Sequence, residues 1–378
     1  MARILFNTTL GASAWAGSEV LWFQTAAYLV AAGHQVAAVL PPSMGIPANT
    51  KRLADAAIQT LSTPFHRVRF LATRVSRRWR PSLSTPGAAV VKAAIKWRAD
   101  MVVLSQASCW GAYSEMLALA EAGIPYVCIS QLNTPFSWPG DGLFGAVGAA
   151  FSKARAAVFV SQGNLDLFQS QAAVELGNAH VIYNPPSFDV SDPCGPPPVG
   201  PFRLLNVARI DPGHKGQDLL IDVLNLPKWR EREVQLSVAG GGNRKWLEQL
   251  VKSKGLGNVT LLGHVGDLRS VWQEATFGVF PSRYEGMPLA MIEGMALGRA
   301  IVATDVAGHG EWIEHGRNGF LAAGCTSSSL DAALEMAWRQ RGDAARLGEA
   351  ARQTFERIMH QDPGAELAGL VSSFLGKS

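Results

Sequence analysis

Short apolar runs alternate with longer amphipathic runs along almost the whole chain, and this alternation restricts the fold more than any other feature. Residues 3–7 are predicted to form a buried strand, residues 18–32 a helix and residues 35–40 a second strand. A strand–helix–strand unit places its two strands parallel in a sheet that helices cover. Because similar units follow up to residue 160 and begin again at residue 204, the sequence predicts an α/β fold with parallel sheets.

A proline-rich stretch separates the two series of units. Neither a helix nor a central strand can run through residues 185–201, because proline lacks the backbone N–H and restricts φ. The sequence therefore predicts two doubly wound domains, residues 1–184 and 202–357, joined by a linker over residues 185–201 and followed by residues 358–378. Ligands of such domains bind at the carboxyl ends of parallel strands, so we expect the functional site in the cleft between the domains.

Length and composition agree with two globular domains. The chain has 378 residues, of which 48% are hydrophobic and 17% charged, which excludes a disordered protein. The net charge of +4 does not indicate a nucleic-acid partner, and the apolar runs are too short for a membrane-spanning helix or a signal peptide. The cysteines lie far apart in no metal-binding pattern, so we expect neither disulfides nor zinc and favour a reducing cytoplasm. They are Cys109, Cys128, Cys194 and Cys325.

The segment from Phe280 to Glu293 carries the strongest chemical signal. A strand ends there, a turn containing Gly286 follows, and a helix begins at Pro288. The first turn of a helix exposes unpaired N–H groups and the positive end of its dipole, which suits an anion such as a diphosphate. Glu285 precedes this helix and Glu293 lies about a turn and a half into it, so the two carboxylates are placed to accept hydrogen bonds from different hydroxyls of one ligand. The alternative is a helix-terminal charge and a surface glutamate.

A second constellation precedes it in the chain. Arg209 and Lys215 bracket a loop at the predicted carboxyl end of a strand. Two cations in that position can neutralise a diphosphate and stabilise it as a leaving group. Either cation alone would be interpreted as a solvated surface charge.

Together these residues resemble family 4 of the retaining glycosyltransferases. That family has a glutamate–seven residues–glutamate motif, which Glu285 and Glu293 match, and an arginine and a lysine before a glycine, which Arg209 and Lys215 match. The resemblance implies the GT-B fold, in which two Rossmann-like domains with doubly wound parallel sheets face a cleft. In that fold a C-terminal helix, here within residues 358–378, crosses back to the first domain. The first domain would bind the acceptor and the second the nucleotide-sugar donor.

The resemblance also implies a role for each residue of the motifs. Glu285 would contact hydroxyls of the transferred sugar and Glu293 the ribose, while Arg209 and Lys215 would hold the pyrophosphate. Glu285, Arg209 and Lys215 are thus the predicted catalytic set. The predicted donor site is completed by Gly17, His264, Val265, Gly286, Met287, Pro288 and Leu289. His264 and Val265 would contact the nucleobase through their backbone.

The first half of the chain matches the family less completely. Residues 17–19, Gly-Ser-Glu, resemble the Gly-Gly-Ala-Glu start of the first long helix, where Gly17 would let the loop approach the donor phosphates. Many members have a histidine six residues after a proline, whereas Gln131 stands at that distance from Pro125 here. Gln131 and Asn133 are predicted to bind the sugar or the acceptor instead. The departure leaves the catalytic base unassigned.

A basic segment lies between the predicted strands of the first half. Over residues 51–98 the only acidic residue is Asp55, and aromatic residues are interleaved with the basic ones. Each basic residue near an anionic leaflet contributes about 1 kcal/mol to membrane binding. We therefore expect the segment to contact the membrane surface or an anionic acceptor such as a lipid-linked saccharide, with a solvated loop as the alternative. Its basic residues are Lys51, Arg52, Arg67, Arg69, Arg74, Arg77, Arg78, Arg80, Lys92, Lys96 and Arg98.

The function expected from the resemblance is transfer of a hexose from a nucleotide-diphosphate sugar with retention of configuration, in cell-surface polysaccharide or glycoconjugate synthesis. A UDP-sugar is the first candidate donor and GDP-mannose the second. No cofactor is expected, and no Asp-x-Asp motif is present to bind a metal. The expected location is the cytoplasm or the inner face of the cell membrane. The alternatives are an epimerase of the same fold and a non-catalytic nucleotide-sugar-binding scaffold, which Gln131 suggests.

Overall fold

A computed structural model describes residues 1–9, 15, 17–41, 44–61, 86–108 and 110–376. The chain divides into two compact units. Unit 1 comprises Met1–Pro185 and Gln361–Ser378, and unit 2 comprises Pro186–His360. Each unit is built on one sheet of parallel strands, as the alternation of apolar and amphipathic runs predicts.

Unit 1 contains a seven-stranded sheet in which every neighbouring pair of strands is parallel. Its strands are β1 Arg3–Thr8, β2 Gln35–Val39, β3 Gln59–Leu61, β4 Met101–Gln106, β5 Tyr126–Ser130, β6 Ala156–Phe159 and β7 Ala179–Val181. Their order is β3-β2-β1-β4-β5-β6-β7. The helices of its first part are α1 Ser18–Ala31, α2 Pro47–Asp55, α3 Pro86–Trp97, α4 Tyr113–Glu121, α5 Phe144–Ser152 and α6 Gln162–Ala172.

Unit 2 contains a six-stranded parallel sheet. Its strands are β8 Phe202–Val207, β9 Val234–Ala239, β10 Val259–Gly263, β11 Phe277–Phe280, β12 Ala300–Thr304 and β13 Gly319–Ala322. Their order is β10-β9-β8-β11-β12-β13. The helices are α7 Pro212–Lys215, α8 Gln217–Leu224, α9 Pro227–Arg230, α10 Arg244–Ser253, α11 Leu268–Gln273, α12 Leu289–Ala296, α13 His309–Trp312, α14 Ser327–Arg339 and α15 Ala344–Ile358.

The two sheets share one topology, because in each the chain starts at a central strand, moves outward, and then crosses to the other side. The reversal lies between β1 and β4 in unit 1 and between β8 and β11 in unit 2. In doubly wound sheets, ligands bind in the crevice at the carboxyl ends of the strands beside such a reversal. Unit 2 therefore has its natural ligand position beside the loops that follow β8 and β11.

The C-terminal helix, α16 (Pro363–Ser373), packs on α1 and so belongs to unit 1. Asp362 caps its start by accepting from Gly364 N at 2.8 Å, and it also accepts from the Tyr28 hydroxyl at 2.8 Å. The helices approach so closely that a Cβ on Gly364 would lie 2.7 Å from the Cβ of Gln24. The prediction that the C-terminal helix returns to the first half of the chain is confirmed.

All but the first residue of the proline-rich segment predicted as a linker lies in unit 2, where arginine side chains hold its backbone. Arg269 donates to Asp192 O at 2.7 Å, and Arg352 donates to Ser191 O at 2.7 Å. Arg299 donates to Gly195 O at 2.9 Å. Extended proline-containing backbone has no ladder partners of its own, so these guanidinium groups take the place of a sheet neighbour.

Part of the basic segment lies outside the described residues, and with it Arg67, Arg69, Arg74, Arg77, Arg78 and Arg80. The basic residues on its described flanks are exposed, namely Lys51, Arg52, Lys92, Lys96 and Arg98. Within the described ranges, no helix combines the length and the apolarity that a bilayer crossing requires.

Candidate functional site

The loop between β8 and α8 is shaped by two buried amide side chains. Asn206, at the end of β8, donates to Val279 O at 2.7 Å and thereby ties β8 to β11. Gln217, the first residue of α8, donates to Arg209 O at 3.0 Å and accepts from Asp211 N at 3.2 Å. Both amides are 1% exposed. The sequence motifs did not indicate either residue, although they set the path of the loop that carries Arg209 and Lys215.

Gly216 allows this loop to touch the loop that follows β11. Its φ is +65°, and a Cβ at this position would lie 1.9 Å from Pro281 O. Only glycine fits so close to a carbonyl oxygen in a left-handed conformation. The contact is extended by Arg283 N, which donates to His214 O at 2.8 Å. The two loops are therefore held together, and Lys215 faces Glu285.

Glu285 is the centre of a buried charged cluster. It is 5% exposed, and its Oε1 accepts from Lys215 Nζ at 2.6 Å and from Ser282 Oγ at 2.7 Å. Its Oε2 lies 3.5 Å from His214 Nε2. Burial alone would raise the pKa of Glu285, but the Lys215 ammonium and His214 outweigh it and hold the pKa well below its usual range. Glu285 is therefore an ionised carboxylate at neutral pH.

Glu293 lies in α12 and has a different environment. It is 2% exposed, and its Oε1 accepts from Ser187 N at 2.8 Å and from Ser187 Oγ at 2.6 Å. Burial raises the pKa of Glu293, and the bonds from Ser187 oppose that rise only in part. The two glutamates of the motif thus hold different partners, an ammonium at Glu285 and a hydroxyl with a backbone N–H at Glu293.

The predicted cations are also in different environments. Arg209 donates from Nη2 to Asp211 Oδ2 at 3.0 Å, and its side chain is 57% exposed. Lys215 is 20% exposed and paired with Glu285. The structure therefore joins Lys215 to the glutamate motif, whereas Arg209 pairs within its own loop.

The other donor residues predicted in unit 2 lie at the same edge of its sheet, in loops or at the start of α12. α12 starts at Leu289, one residue later than predicted, with Pro288 as its extended N-cap. Gly286 and Met287 are buried in the turn before it. His264 is exposed and Val265 half-buried after β10. The loops after β9 and β10 are joined by Gly240 N, which donates to Gly263 O at 2.7 Å.

In unit 1, Gln131 and Asn133 follow the carboxyl end of β5. Gln131 Oε1 accepts from Asn184 Nδ2 at 2.8 Å, while its Nε2 is buried and lacks a hydrogen-bond partner among the described residues. The amide of Asn133 donates to Asn164 O at 3.3 Å, and its backbone N donates to Asn164 Oδ1 at 2.9 Å. Asn133 thus holds the start of α6, whereas Gln131 offers an unused donor. The described residues hold no group of three or more His, Cys, Asp or Glu placed to bind a metal ion.

Gly17 is the N-cap of α1, with φ −57° and ψ −33°. Any residue adopts this right-handed helical conformation, so the backbone at this position does not itself require glycine. Residues 10–14 and residue 16, which would complete the loop before it, lie outside the described residues. Close approach of this loop to a phosphate stays a prediction.

Glu19, the last residue of the Gly-Ser-Glu motif, is a fully buried carboxyl group, and no cation pairs with it among the residues that the structure describes. It accepts from Trp22 Nε1 at 2.5 Å and from Thr8 Oγ1 at 3.2 Å. Burial raises the pKa of Glu19 to about 7, against the lowering effect of these hydrogen bonds. The folded state therefore keeps a proton on Glu19 that the unfolded chain loses near its ordinary pKa of 4.5.

This difference predicts a pH-dependent stability. As pH rises from about 4.5 to 7, the unfolded state binds fewer protons, so the free energy of unfolding falls, by about 3 kcal/mol for this one group. Urea unfolding near pH 4.5 and near pH 7 measures this fall in the free energy of unfolding. Glu19→Gln should remove the part of the fall that Glu19 contributes. Glu121→Gln, an exposed change in the same unit, is the control and should keep it. Equal pH dependence in the wild type and Glu19→Gln would contradict the prediction.

Comparison with known proteins covers both units. Residues 15–187 match the family model described as Glycosyltransferase Family 4, and residues 201–339 match the model described as Glycosyl transferases group 1. The chain is 30% identical to the putative glycosyltransferase EpsD of Bacillus subtilis over 43% of this chain and 43% of that protein. The aligned part therefore spans less than half of the length of that curated relative.

Solved structures resemble the chain over its whole length. A glycosyltransferase from Rickettsia africae has a TM-score of 0.78 and 18% identity, covering 100% of this chain and 99% of that chain. HepE of Anabaena, in complex with UDP and glucose, has a TM-score of 0.75 and 21% identity, covering 99% of this chain and 100% of that chain. At such identities the likeness concerns the fold. The predicted fold class, two Rossmann-like units with parallel sheets as in GT-B glycosyltransferases, is confirmed.

Proposed function

We propose, from the premise that this chain has the GT-B fold and the family 4 and group 1 domains of the glycosyltransferases, that it transfers a hexose from a UDP-sugar to an acceptor with retention of configuration. The choice of UDP rests on HepE, a structural neighbour in complex with UDP and glucose. GDP-mannose is the second candidate donor.

The observation that carries the proposal is the pairing of Lys215 with Glu285 at 2.6 Å, in the crevice position of unit 2. Lysine has three N–H donors, and Glu285 accepts from one of them. The others can meet the oxygens of a diphosphate while the carboxylate keeps the ammonium in place. A preorganised contact of this kind stabilises a developing oxyanion by about 3–4 kcal/mol.

The other residues of the motifs complete the proposed donor site. Arg209, which is exposed, would turn from Asp211 to the diphosphate, and the N–H groups at the start of α12 would face the same charge. Glu293 already accepts from the hydroxyl of Ser187. We propose that a ribose hydroxyl takes over this hydrogen bond, which keeps the buried carboxylate paired.

In the proposed reaction the nucleotide diphosphate leaves from the anomeric carbon, and the acceptor hydroxyl attacks from the same face. The departing phosphate takes the proton of that hydroxyl, which accounts for retention without a separate base. Because two cations and a helix start neutralise the leaving group, this transfer needs no metal ion. Glu285 and Glu293 do not act as a retaining glycosidase pair, in which both carboxyl groups flank one glycosidic bond.

Unit 1 would bind the acceptor, with Gln131 Nε2 as one donor to it. The exposed basic residues on the flanks of the segment 51–98 favour an anionic acceptor, such as a lipid-linked saccharide, at the inner face of the cell membrane. Synthesis of a cell-surface polysaccharide or glycoconjugate would follow from such an acceptor. Equal co-sedimentation with neutral and anionic vesicles would rule out the membrane contact.

Thermal unfolding with UDP, GDP, UDP-glucose and GDP-mannose tests the proposal first. A ligand at about 100 times its dissociation constant should stabilise the protein by about 2.7 kcal/mol. Release of UDP from the bound UDP-sugar is then measured with and without candidate acceptors. Binding without release for every acceptor would favour the scaffold, and conversion of the UDP-sugar into an epimer would favour the epimerase. No binding of any of these nucleotides would overturn the proposed function.

A further inference from the structure

His309, at the start of α13, is a fully buried imidazole in unit 2 that the sequence motifs did not single out. Its Nδ1 lies 2.6 Å from Thr304 O. A carbonyl oxygen can only accept a hydrogen bond, so Nδ1 carries the proton. In the neutral ring the other nitrogen, Nε2, is therefore a bare acceptor.

This second nitrogen is unused. His309 Nε2 is buried and has no hydrogen-bond partner among the residues that the structure describes. Burial lowers the pKa of His309, against the opposing effect of Glu285, so the ring is neutral near pH 7. A buried acceptor without a partner is unfavourable, and a ligand that donates a hydrogen bond to it would satisfy it.

Hydrogen bonds through Thr304 and Ser282 connect His309 to Glu285. Thr304 accepts from His309 Nδ1 through its backbone oxygen, and its hydroxyl donates to Ser282 O at 2.5 Å. The hydroxyl of Ser282 in turn donates to Glu285 Oε1 at 2.7 Å. The charged groups that act on the ring are Glu285, Lys215 and Asp305. His309 thus stands beside the pair that the proposed function assigns to the donor.

We propose that His309 is a specificity-determining residue of this donor site, whose Nε2 accepts a hydrogen bond from one hydroxyl group of the transferred sugar. The inference rests on the proposed function. An acceptor nitrogen repels the oxygens of an ionised diphosphate, which have no proton to donate at neutral pH. A sugar hydroxyl is the part of a nucleotide sugar that can donate.

The test uses UDP, the UDP-sugar that the wild-type protein transfers (UDP-glucose as the first probe), and analogues of that sugar that each lack one hydroxyl group. The wild type should lose about tenfold in kcat/KM with one particular analogue, the value expected for a single hydrogen bond. His309→Phe should lose about tenfold with the complete sugar and should no longer distinguish that analogue. Its affinity for UDP, which has no transferred sugar, should stay within about twofold of the wild type.

Two further variants keep the test decisive. In His309→Gln, the amide can donate to Thr304 O and still offer an oxygen to the sugar, so discrimination should return in part. His360→Phe, an exposed change in the same unit, is the matched control and should behave as the wild type. If His309→Phe does not fold, His309→Leu and His309→Gln decide instead. His309→Leu should no longer distinguish the deoxy analogue from the complete sugar, whereas His309→Gln should still do so in part.

The outcomes separate the two proposals. If the wild-type protein neither binds nor turns over a nucleotide sugar, the proposed function fails. If the wild type is active but treats all the deoxy analogues alike, only the inference on His309 fails. The inference on His309 also fails if the His309 variants distinguish the deoxy analogue as the wild type does. It fails as well if they lose UDP affinity and sugar turnover equally, because His309 would then have only a structural role or bind a water molecule.

Discussion

Replacing Glu285 by glutamine is expected to lower the turnover of the sugar donor by about 10²–10³-fold. Glutamine keeps the shape of the side chain but removes the negative charge that faces Lys215 at 2.6 Å and Ser282 at 2.7 Å. The Lys215 ammonium would lose its counter-ion in a nearly buried site. It would then be held less firmly at the place where, in the proposed reaction, the diphosphate leaves.

Steady-state kinetics with the donor and thermal unfolding check this prediction. Glu248→Gln is the control, because Glu248 is 48% exposed and pairs with Arg244 one helical turn away. An exposed pair of this kind contributes about 0.3–0.5 kcal/mol, so the control should keep full activity. If Glu285→Gln transfers sugar at the normal rate, Glu285 does not have the assigned role.

The reciprocal change, Lys215→Met, separates the roles of the two partners. It leaves the Glu285 carboxylate buried without its ammonium, so the pKa of Glu285 should rise because burial is no longer opposed to the same extent. Nucleotide binding should weaken together with stability. The effects of the two substitutions should not add, because each removes the same contact, and the double variant measures that coupling. Additive losses would show that the pair is not a unit.

Replacing Arg299 by methionine is expected to lower the free energy of unfolding by about 3–5 kcal/mol, because it removes several hydrogen bonds that a charged group donates. Arg299 is fully buried, and its guanidinium donates to Trp272 O at 3.0 Å, to Gly195 O at 2.9 Å and to Gln273 O at 3.2 Å. Methionine fills much of the space but donates nothing. Each of these carbonyl oxygens would lose a charged donor.

Urea unfolding measures this loss, with Arg339→Met as the control. The Arg339 side chain is 74% exposed, so its removal should change stability by less than about 0.5 kcal/mol. Because Gly195 belongs to the proline-rich segment, Arg299→Met should also speed proteolytic cleavage within residues 186–201. A loss below about 1 kcal/mol with unchanged cleavage would contradict the prediction.

Much of the fold follows from the local pattern. The strand predicted over residues 3–7 is β1, and the strands predicted near residues 101–104 and 126–130 are β4 and β5. These runs are apolar because both faces of a parallel sheet are covered by helices. The local pattern did not predict β3, because this strand has only three residues and Gln59 and Thr60 are exposed.

Some contacts of the candidate site join residues that lie far apart in the sequence, so only folding brings them together. Glu293 belongs to a motif, but Ser187, which donates a hydrogen bond to its carboxyl group, comes from the proline-rich segment 106 residues earlier. Asn206 and Gln217 are ordinary polar residues in the sequence, and only their buried hydrogen bonds in the folded chain show that they shape the loop. A single amide in one sequence carries no signal that distinguishes it from a surface residue.

By itself, the sequence determined the parallel α/β class and the two motifs that resemble the glycosyltransferases. These depend on burial periodicity and on spacing along a short stretch, which local residue order encodes. The tertiary structure alone decided that Lys215 meets Glu285, 70 residues away, and that His309 stands beside them with one unused nitrogen. Such contacts form where loops meet at the carboxyl edge of a sheet, and that meeting depends on the order of the strands rather than on any local pattern.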